Sequence, residues 1–448
     1  MILLYSPRIS SRIEYVAGLL LGKILGADWA LTKDIEKFKG YQGPRISYGN
    51  IPPGLEALRV PAHGFLLERG VHYFLPELVI DEHLPLLFPV AGEQYDLPFD
   101  PFSASFYLVT RYEEYLPHRK DSFGRFEATQ SFAYRNNFLS KPVVNHYALM
   151  IKKLLKEKYP GYSFPPGGFT FVPTYDVDVA YAYRGRGFLR SVFGMLRSLG
   201  GADFTSLRER IRVLIKNEKD PFDTYDTQLD LAKESGIKPF YFFLCGDFGP
   251  YDRNLAHYSK TFLLLVKRLG DYARIGIHPS YASNEEEGLL ATELLRLSEI
   301  LNQDIRFSRQ HYLKLEMPAT YRTLLRHNIT CDFTMAYASQ PGFRAGICTP
   351  YPFYDLELEK ECRLTVVPLT VMDGTMRDYL GLSPTEALQV VRQLMAEVEE
   401  VGGCFVSLWH NDSLCDCGPW KGWLEVYNTL YAMAAAKHTK NHDKVFNT

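Results

Sequence analysis

At 448 residues the chain is long enough for two or three domains. Hydrophobic residues make up 46% and charged residues 23%, which excludes a mainly disordered chain. Lys and Arg total 50 against 52 Asp and Glu, a formal charge of −2, so neither a polyanion nor a membrane surface is expected as a partner.

The opening reads as a strand over 2–5, a helix over 11–26 and short strands over 29–31 and 45–48, a small α/β unit. Ser11 and Glu14 have the spacing of a capping box, and Val16, Leu20 and Ile24 recur every fourth residue. Lys23 interrupts that apolar run, and no stretch approaches the length of a membrane span. The segments 97–102 and 111–115 are rich in aromatic and charged residues but spell no recognisable chemistry. A helical pattern over 143–156 runs into a Pro/Gly cluster at 158–168. The expected division is therefore an N-terminal α/β accessory domain over 1–160 and a second domain over 168–437.

From 169 onward the pattern alternates. Apolar, β-branched or aromatic runs fall at 169–175, 239–245, 274–277, 305–309, 329–333, 364–371 and 403–409. Most are separated by helical patterns at 223–235, 259–269, 285–302, 318–327, 383–401 and 422–437. Ser383-Pro384-Thr385-Glu386 starts one helix with an N-cap, a proline at its first position and a capping glutamate. Such alternation predicts a parallel α/β architecture. A barrel is favoured over an open dinucleotide-binding sheet, because no G-x-G-x-x-G follows the first strand; Arg184-Gly185-Arg186-Gly187 is the nearest approach and is misplaced. The seven cysteines are odd in number and mostly embedded in apolar runs, including a lone C-x-C at Cys415 and Cys417. They are expected to be reduced thiols of a cytoplasmic protein.

In a parallel barrel the reactive groups gather where strands end, because the loops there converge on one mouth. The seven predicted strand ends carry Asp176 and Asp178, Asp247, His278, Arg309 and His311, Asp332, Asp373, and His410. Each alone has a plain structural reading: a turn or helix cap for the aspartates, a packed ring for the histidines, a salt bridge for the arginine. Their recurrence at every end is what points to a shared site.

At these residues the chain resembles the NodB-like polysaccharide deacetylases, carbohydrate esterases that remove N-acetyl groups from amino sugars. Thr174-Tyr175-Asp176-Val177-Asp178 resembles the family's T-F-D-D-G motif with its second acid displaced by one. His278-Pro279-Ser280 resembles the start of H-S/T-x-x-H, Arg309–Tyr312 resembles R-x-P-Y, Cys331-Asp332 the W-D-x-D segment, and Leu408–His410 the closing L-x-H. The resemblance covers roughly 168–435 and implies a distorted seven-stranded (β/α)7 barrel. It also implies a divalent metal, zinc or else nickel, cobalt or iron(II), and a carbohydrate or other acetamide substrate.

Carried over residue by residue, the roles are Asp178 and His278 as metal ligands, Asp176 as general base, His410 as general acid and Arg309 as the group that fixes Asp176. One departure stands out: the second family histidine should fall at position 282, which is alanine. His311 is the candidate third ligand. The expected function is metal-dependent removal of N-acetyl groups from amino-sugar glycans. The alternative is a catalytically inactive carbohydrate-binding module of the same fold. A glycosyltransferase built on Asp176-Val177-Asp178, or a two-carboxylate glycosidase, would leave the histidines without roles.

Overall fold

The computed structural model describes residues 1–52, 54–82, 84–185, 204–286 and 288–439. Arg186 and Gly187 of the glycine-containing segment noted above lie outside the described residues. The protein is a mixed α/β fold around a curled nine-stranded sheet, with a smaller four-stranded sheet at the N-terminal end.

The small sheet joins β1 (Ile2–Tyr5), β2 (Trp29–Thr32), β3 (Arg45–Tyr48) and β4 (Leu58–Val60) in the order β2-β1-β3-β4, all parallel. The helix between β1 and β2 begins one residue earlier than its capping pattern suggests. Ser10, in extended conformation, accepts from the Ile13 amide at 3.2 Å, whereas Ser11 lies within the first turn and bonds the Tyr354 hydroxyl. The correction follows from geometry: only the residue that is not yet helical can turn its hydroxyl back onto the free amides. A two-stranded antiparallel hairpin, β5 (Leu78–Asp81) and β6 (Leu84–Leu87), completes this region's strands. The helix Val143–Lys158 buries Val143, Tyr147, Ile151 and Leu155, while Met150 and Leu154 on the same apolar pattern are half-buried.

The large sheet contains β7 (Thr170–Val177), β8 (Phe240–Phe243), β9 (Arg274–Ile277), β10 (Phe307–Ser308), β11 (Cys331–Asp332), β12 (Tyr351–Asp355), β13 (Lys360–Val366), β14 (Val371–Met372) and β15 (Cys404–His410). Their order is β12-β13-β11-β10-β9-β8-β7-β15-β14. All neighbours run parallel except β12 against β13. The single run expected over 364–371 is divided: its first part ends β13, and β14 begins five residues after β13 stops. Between them Leu369 donates to the Met335 carbonyl and Thr370 to that of Val406, so this chain bridges the two sides of the curl. The capping box at Ser383 and Glu386 forms as expected at the start of the helix Pro384–Val401.

The two regions share one hydrophobic core that runs from Ile2 to Ala434. Polar ties cross it. Glu114, on the charged segment that carried no legible chemistry, is buried between Arg344 (2.6 Å) and Arg111 (2.8 Å). Burial pushes the Glu114 carboxyl up, but Arg344 and then Arg111 pull it down further, to about 2. Cys415 and Cys417 are disulfide-bonded, which corrects the expectation of reduced thiols at those positions; Cys245, Cys331, Cys348 and Cys404 are free and buried. Among the described residues no helix is long and apolar enough to cross a membrane.

Candidate metal centre and active site

Strand register explains why distant residues meet. In the β15–β7 pairing His410 is the register partner of Asp176, so both leave their strands at the same edge. His278 follows β9 directly, its amide on the Phe243 carbonyl, and Arg309 follows β10 with its amide on the Ile277 carbonyl. Gly276 allows the close packing beneath them: an added Cβ would lie 2.6 Å from the Phe242 ring and 2.8 Å from the Phe307 carbonyl. That Phe242 ring in turn carries the Arg309 guanidinium at 4.5 Å.

Three imidazoles converge on Asp178. The Nε2 atoms of His278, His311 and His410 stand 3.1, 3.4 and 3.6 Å from its carboxylate oxygens. Every one of the three rings is held at its other nitrogen. His278 Nδ1 lies 2.5 Å from the Arg309 carbonyl, His311 Nδ1 2.8 Å from Asp252 Oδ1, and His410 Nδ1 2.8 Å from Asp373 Oδ1. A carbonyl can only accept, so His278 carries its proton on Nδ1 and, when neutral, turns a bare Nε2 toward Asp178.

Electrostatics sharpen the picture. Burial raises the Asp178 carboxyl, but the neighbouring imidazoles, His311 foremost, bring it well below the usual carboxylate range. Burial disfavours a charged His311, yet Asp178 and Asp252 raise it to about 9. His410 is likewise lowered by burial and raised more strongly by Asp373 and then by Asp178 and Asp176, ending well above an ordinary imidazole. Asp252 and Asp373 are raised by burial and carried below their ordinary value by the histidines they hold. The site is an array of ionised carboxylates separated by imidazoles.

One oxygen of Asp178 and one nitrogen each of His278 and His311 lie within 4.8 Å of one another, a candidate donor set for a divalent cation. Asp178 Oδ1 is buried and accepts no hydrogen bond, although His278 Nε2 is 3.1 Å away. With His278 neutral, two lone pairs face each other at that distance and repel unless a proton or a metal cation lies between them. The residues present therefore fit a metal ion. The hydrogen bonds at the far nitrogens have the form that orients metal-binding histidines and fixes their tautomer.

Asp176 stands beside this set, 2% exposed, with Oδ1 accepting from Arg309 Nη1 at 2.8 Å and Oδ2 3.7 Å from His278 Nε2. Arg309 is fully buried and also donates from Nε to the Phe333 carbonyl. Of the nine strand-end residues singled out by sequence, the six given roles, Asp176, Asp178, His278, Arg309, His311 and His410, are thus brought together. Asp373 also meets them, taking the His410 amide as well as its ring.

Two strand-end acids do not join the cluster. Asp247 is 74% exposed on its side chain and pairs with Arg296. Asp332 is buried beneath, accepting from Ser308 and Thr334, while Thr334 Oγ1 takes the Gln310 amide and so braces the Arg309–His311 segment. The residue that sequence reasoning missed is Asp252, in a loop without periodic pattern. Its nearest legible signal is its place a few residues beyond Asp247. Asp412 was missed too; burial pushes its carboxyl up to about 6 against the pull of His410.

Residues 2–160 match the model of a family of unknown function, DUF7033. No curated protein matches. A Mycobacterium smegmatis protein classed as a polysaccharide deacetylase is similar at 16% identity over 61% of this chain and 87% of its own, TM-score 0.40. A polysaccharide deacetylase from Bacillus cereus matches at 11% identity over 62% of this chain and 94% of its own, TM-score 0.31. A CE4 family pseudoenzyme from Bacillus anthracis matches at 12% over 60% and 63%, TM-score 0.29. At such identities and TM-scores these likenesses decide neither activity nor residue roles.

Proposed function

We propose that the protein is a metal-dependent hydrolase that removes N-acetyl groups from amino-sugar glycans. The observation that carries this reading is the convergence of three oriented imidazoles on Asp178, with the Asp176–Arg309 pair beside them. Asp178, His278 and His311 would hold a divalent cation, zinc by the character of one oxygen and two nitrogen donors, and three protein ligands leave room for water. Such an ion, when bound, makes a water nucleophilic near neutral pH and polarises the acetamide carbonyl.

The chain's own residues then divide the proton transfers. Asp176 accepts the proton of the attacking water, and Arg309 keeps its carboxylate pointed at the site by a charge-assisted hydrogen bond. His410, whose imidazole Asp373 raises well above its ordinary value, donates a proton to the departing amine nitrogen. One proton is taken and one given, and the products are acetate and a free amino sugar. Neither nucleic acid nor a membrane enters this reading.

Acetate release from N-acetylated oligosaccharides, measured with added zinc and with a chelator, tests it. Release that a chelator abolishes and zinc restores is expected. Release that ignores the chelator would refute metal dependence. Tight glycan binding without release would favour the carbohydrate-binding module instead.

A further inference from the structure

Part of the N-terminal region reaches the metal centre. Lys120 and Phe126 pair as an isolated antiparallel bridge, and the turn they close sets Phe123 and Arg125 against the segment that follows His311. The Phe123 ring stacks on Tyr312 at 5.0 Å and 23°. Arg125 is buried, held by Asp121 at 2.8 Å. Its Nη1 donates to the Tyr312 carbonyl at 2.8 Å and its Nη2 to the Tyr379 hydroxyl at 3.1 Å.

The clamped segment needs such support. Tyr312 and Leu313 have φ of 60° and 51°, the left-handed region that side-chain-bearing residues rarely occupy, and they do so in succession. A backbone of this kind persists only where its surroundings over-determine it. His311 immediately precedes these two residues, so the direction of its ring depends on the turn they make. Asp252 holds the ring at Nδ1, and Arg125 with Phe123 holds the backbone behind it.

We propose that Arg125 is a positioning residue for the third metal ligand, so that the N-terminal region completes the metal centre by clamping the His311–Leu313 turn. This rests on the reading of Asp178, His278 and His311 as that centre. Arg125 touches neither substrate nor metal; it acts through His311.

The test is a double-mutant cycle on the full chain, read by zinc affinity in competition with a chromogenic chelator and by the absorption spectrum of the cobalt(II) form. Arg125→Ala and Arg125→Lys are each expected to weaken zinc binding roughly 10–100-fold, the scale for losing a group that orients a ligand. Their cobalt spectra should shift toward that of His311→Ala. Adding Arg125→Ala to His311→Ala should cost nothing more, because the residue acts through that histidine alone. Arg119→Ala, one residue ahead of that turn and 76% exposed, should leave both readouts unchanged.

Arg125→Lys preserves the charge opposite Asp121, which keeps the experiment readable if the alanine variant folds poorly. Zinc affinity and cobalt spectrum unchanged in the Arg125 variants, or losses that simply multiply in the double variant, would overturn the proposal while leaving the metal centre standing. A wild-type chain that takes up no zinc would overturn the metal centre itself, a distinguishable result.

Discussion

Asp252 Oδ1 stands 2.8 Å from His311 Nδ1, and the same carboxylate accepts the main-chain amides of Tyr281 and Ala282. The position where the deacetylase pattern calls for a second histidine thus contributes through its backbone. It steadies the acid that orients a histidine drawn from the neighbouring strand's loop. Ala282, through its amide, and His311, through its ring, thus meet on one carboxylate.

Removing that acid should be felt at the metal. Asp252→Asn leaves His311 without its ionic partner, and zinc affinity should fall roughly 10–100-fold. Chelator competition at fixed pH measures it, and an affinity equal to wild type would show that Asp252 serves only the fold.

Metal uptake should also depend on pH. Without a metal His311 holds a proton up to about 9, and a ligand must release that proton to bind. Apparent zinc affinity should therefore rise with pH, about tenfold per unit where one proton is displaced, and level off above about 9. Proton release measured by calorimetry in buffers of differing ionisation enthalpy checks the sign; a pH-independent affinity would contradict it.

The paired acids should separate. Asp178→Ala is expected to lose the metal, whereas Asp176→Asn should keep most of it and lose turnover. Metal content and acetate release, measured on the same preparations, report the two effects. Equal metal loss in both variants would show that the division of labour is wrong.

His410 should matter for rate rather than for folding. Its removal should slow turnover by about 10²–10⁴. Asp373 raises the His410 imidazole, so Asp373→Asn should lower it and move the alkaline limb of the rate profile toward lower pH. A limb that stays in place would remove Asp373 from that role.

Glu114 supplies a prediction about stability. Its carboxyl falls from an ordinary value to about 2 in the folded chain, so its contribution is present above about pH 4.5 and is lost as pH falls toward 2. Glu114→Gln takes the carboxylate from buried Arg344, while Arg111 keeps Glu113, and should cost about 3–5 kcal/mol in denaturant unfolding. The variant should also lose part of the acid sensitivity of the wild type. A loss under about 1 kcal/mol would mean the two arginines find other partners.

Much of the second region was written locally. The runs that became β7, β8, β9 and β15 were legible because alternation and β-branched or aromatic content act over a few neighbouring residues. The six candidate side chains were legible because they sit where these runs, and the one that became β10, stop. The same local logic misplaced one N-cap by a residue, at Ser10, and merged β13 with β14. It also passed over β12, whose pairing with β13 is settled by contact rather than by pattern.

Partnerships across long stretches of chain had no such signal. Arg309 reaches Asp176 over 133 residues, Arg344 reaches Glu114 over 230, and Arg125 reaches the Tyr312 carbonyl over 187. No periodicity encodes such pairs, because each depends on the register of strands and on which loops the shared core presses together. Residue types and their order along the chain set what chemistry was available: carboxylates, imidazoles and one arginine at strand ends. Packing decided which imidazoles face Asp178, that Asp252 rather than Asp247 holds His311, and that a hairpin of the N-terminal region lies behind that histidine. Such choices belong to the folded chain, since a ligand's direction is set by whatever buries its far nitrogen and its backbone.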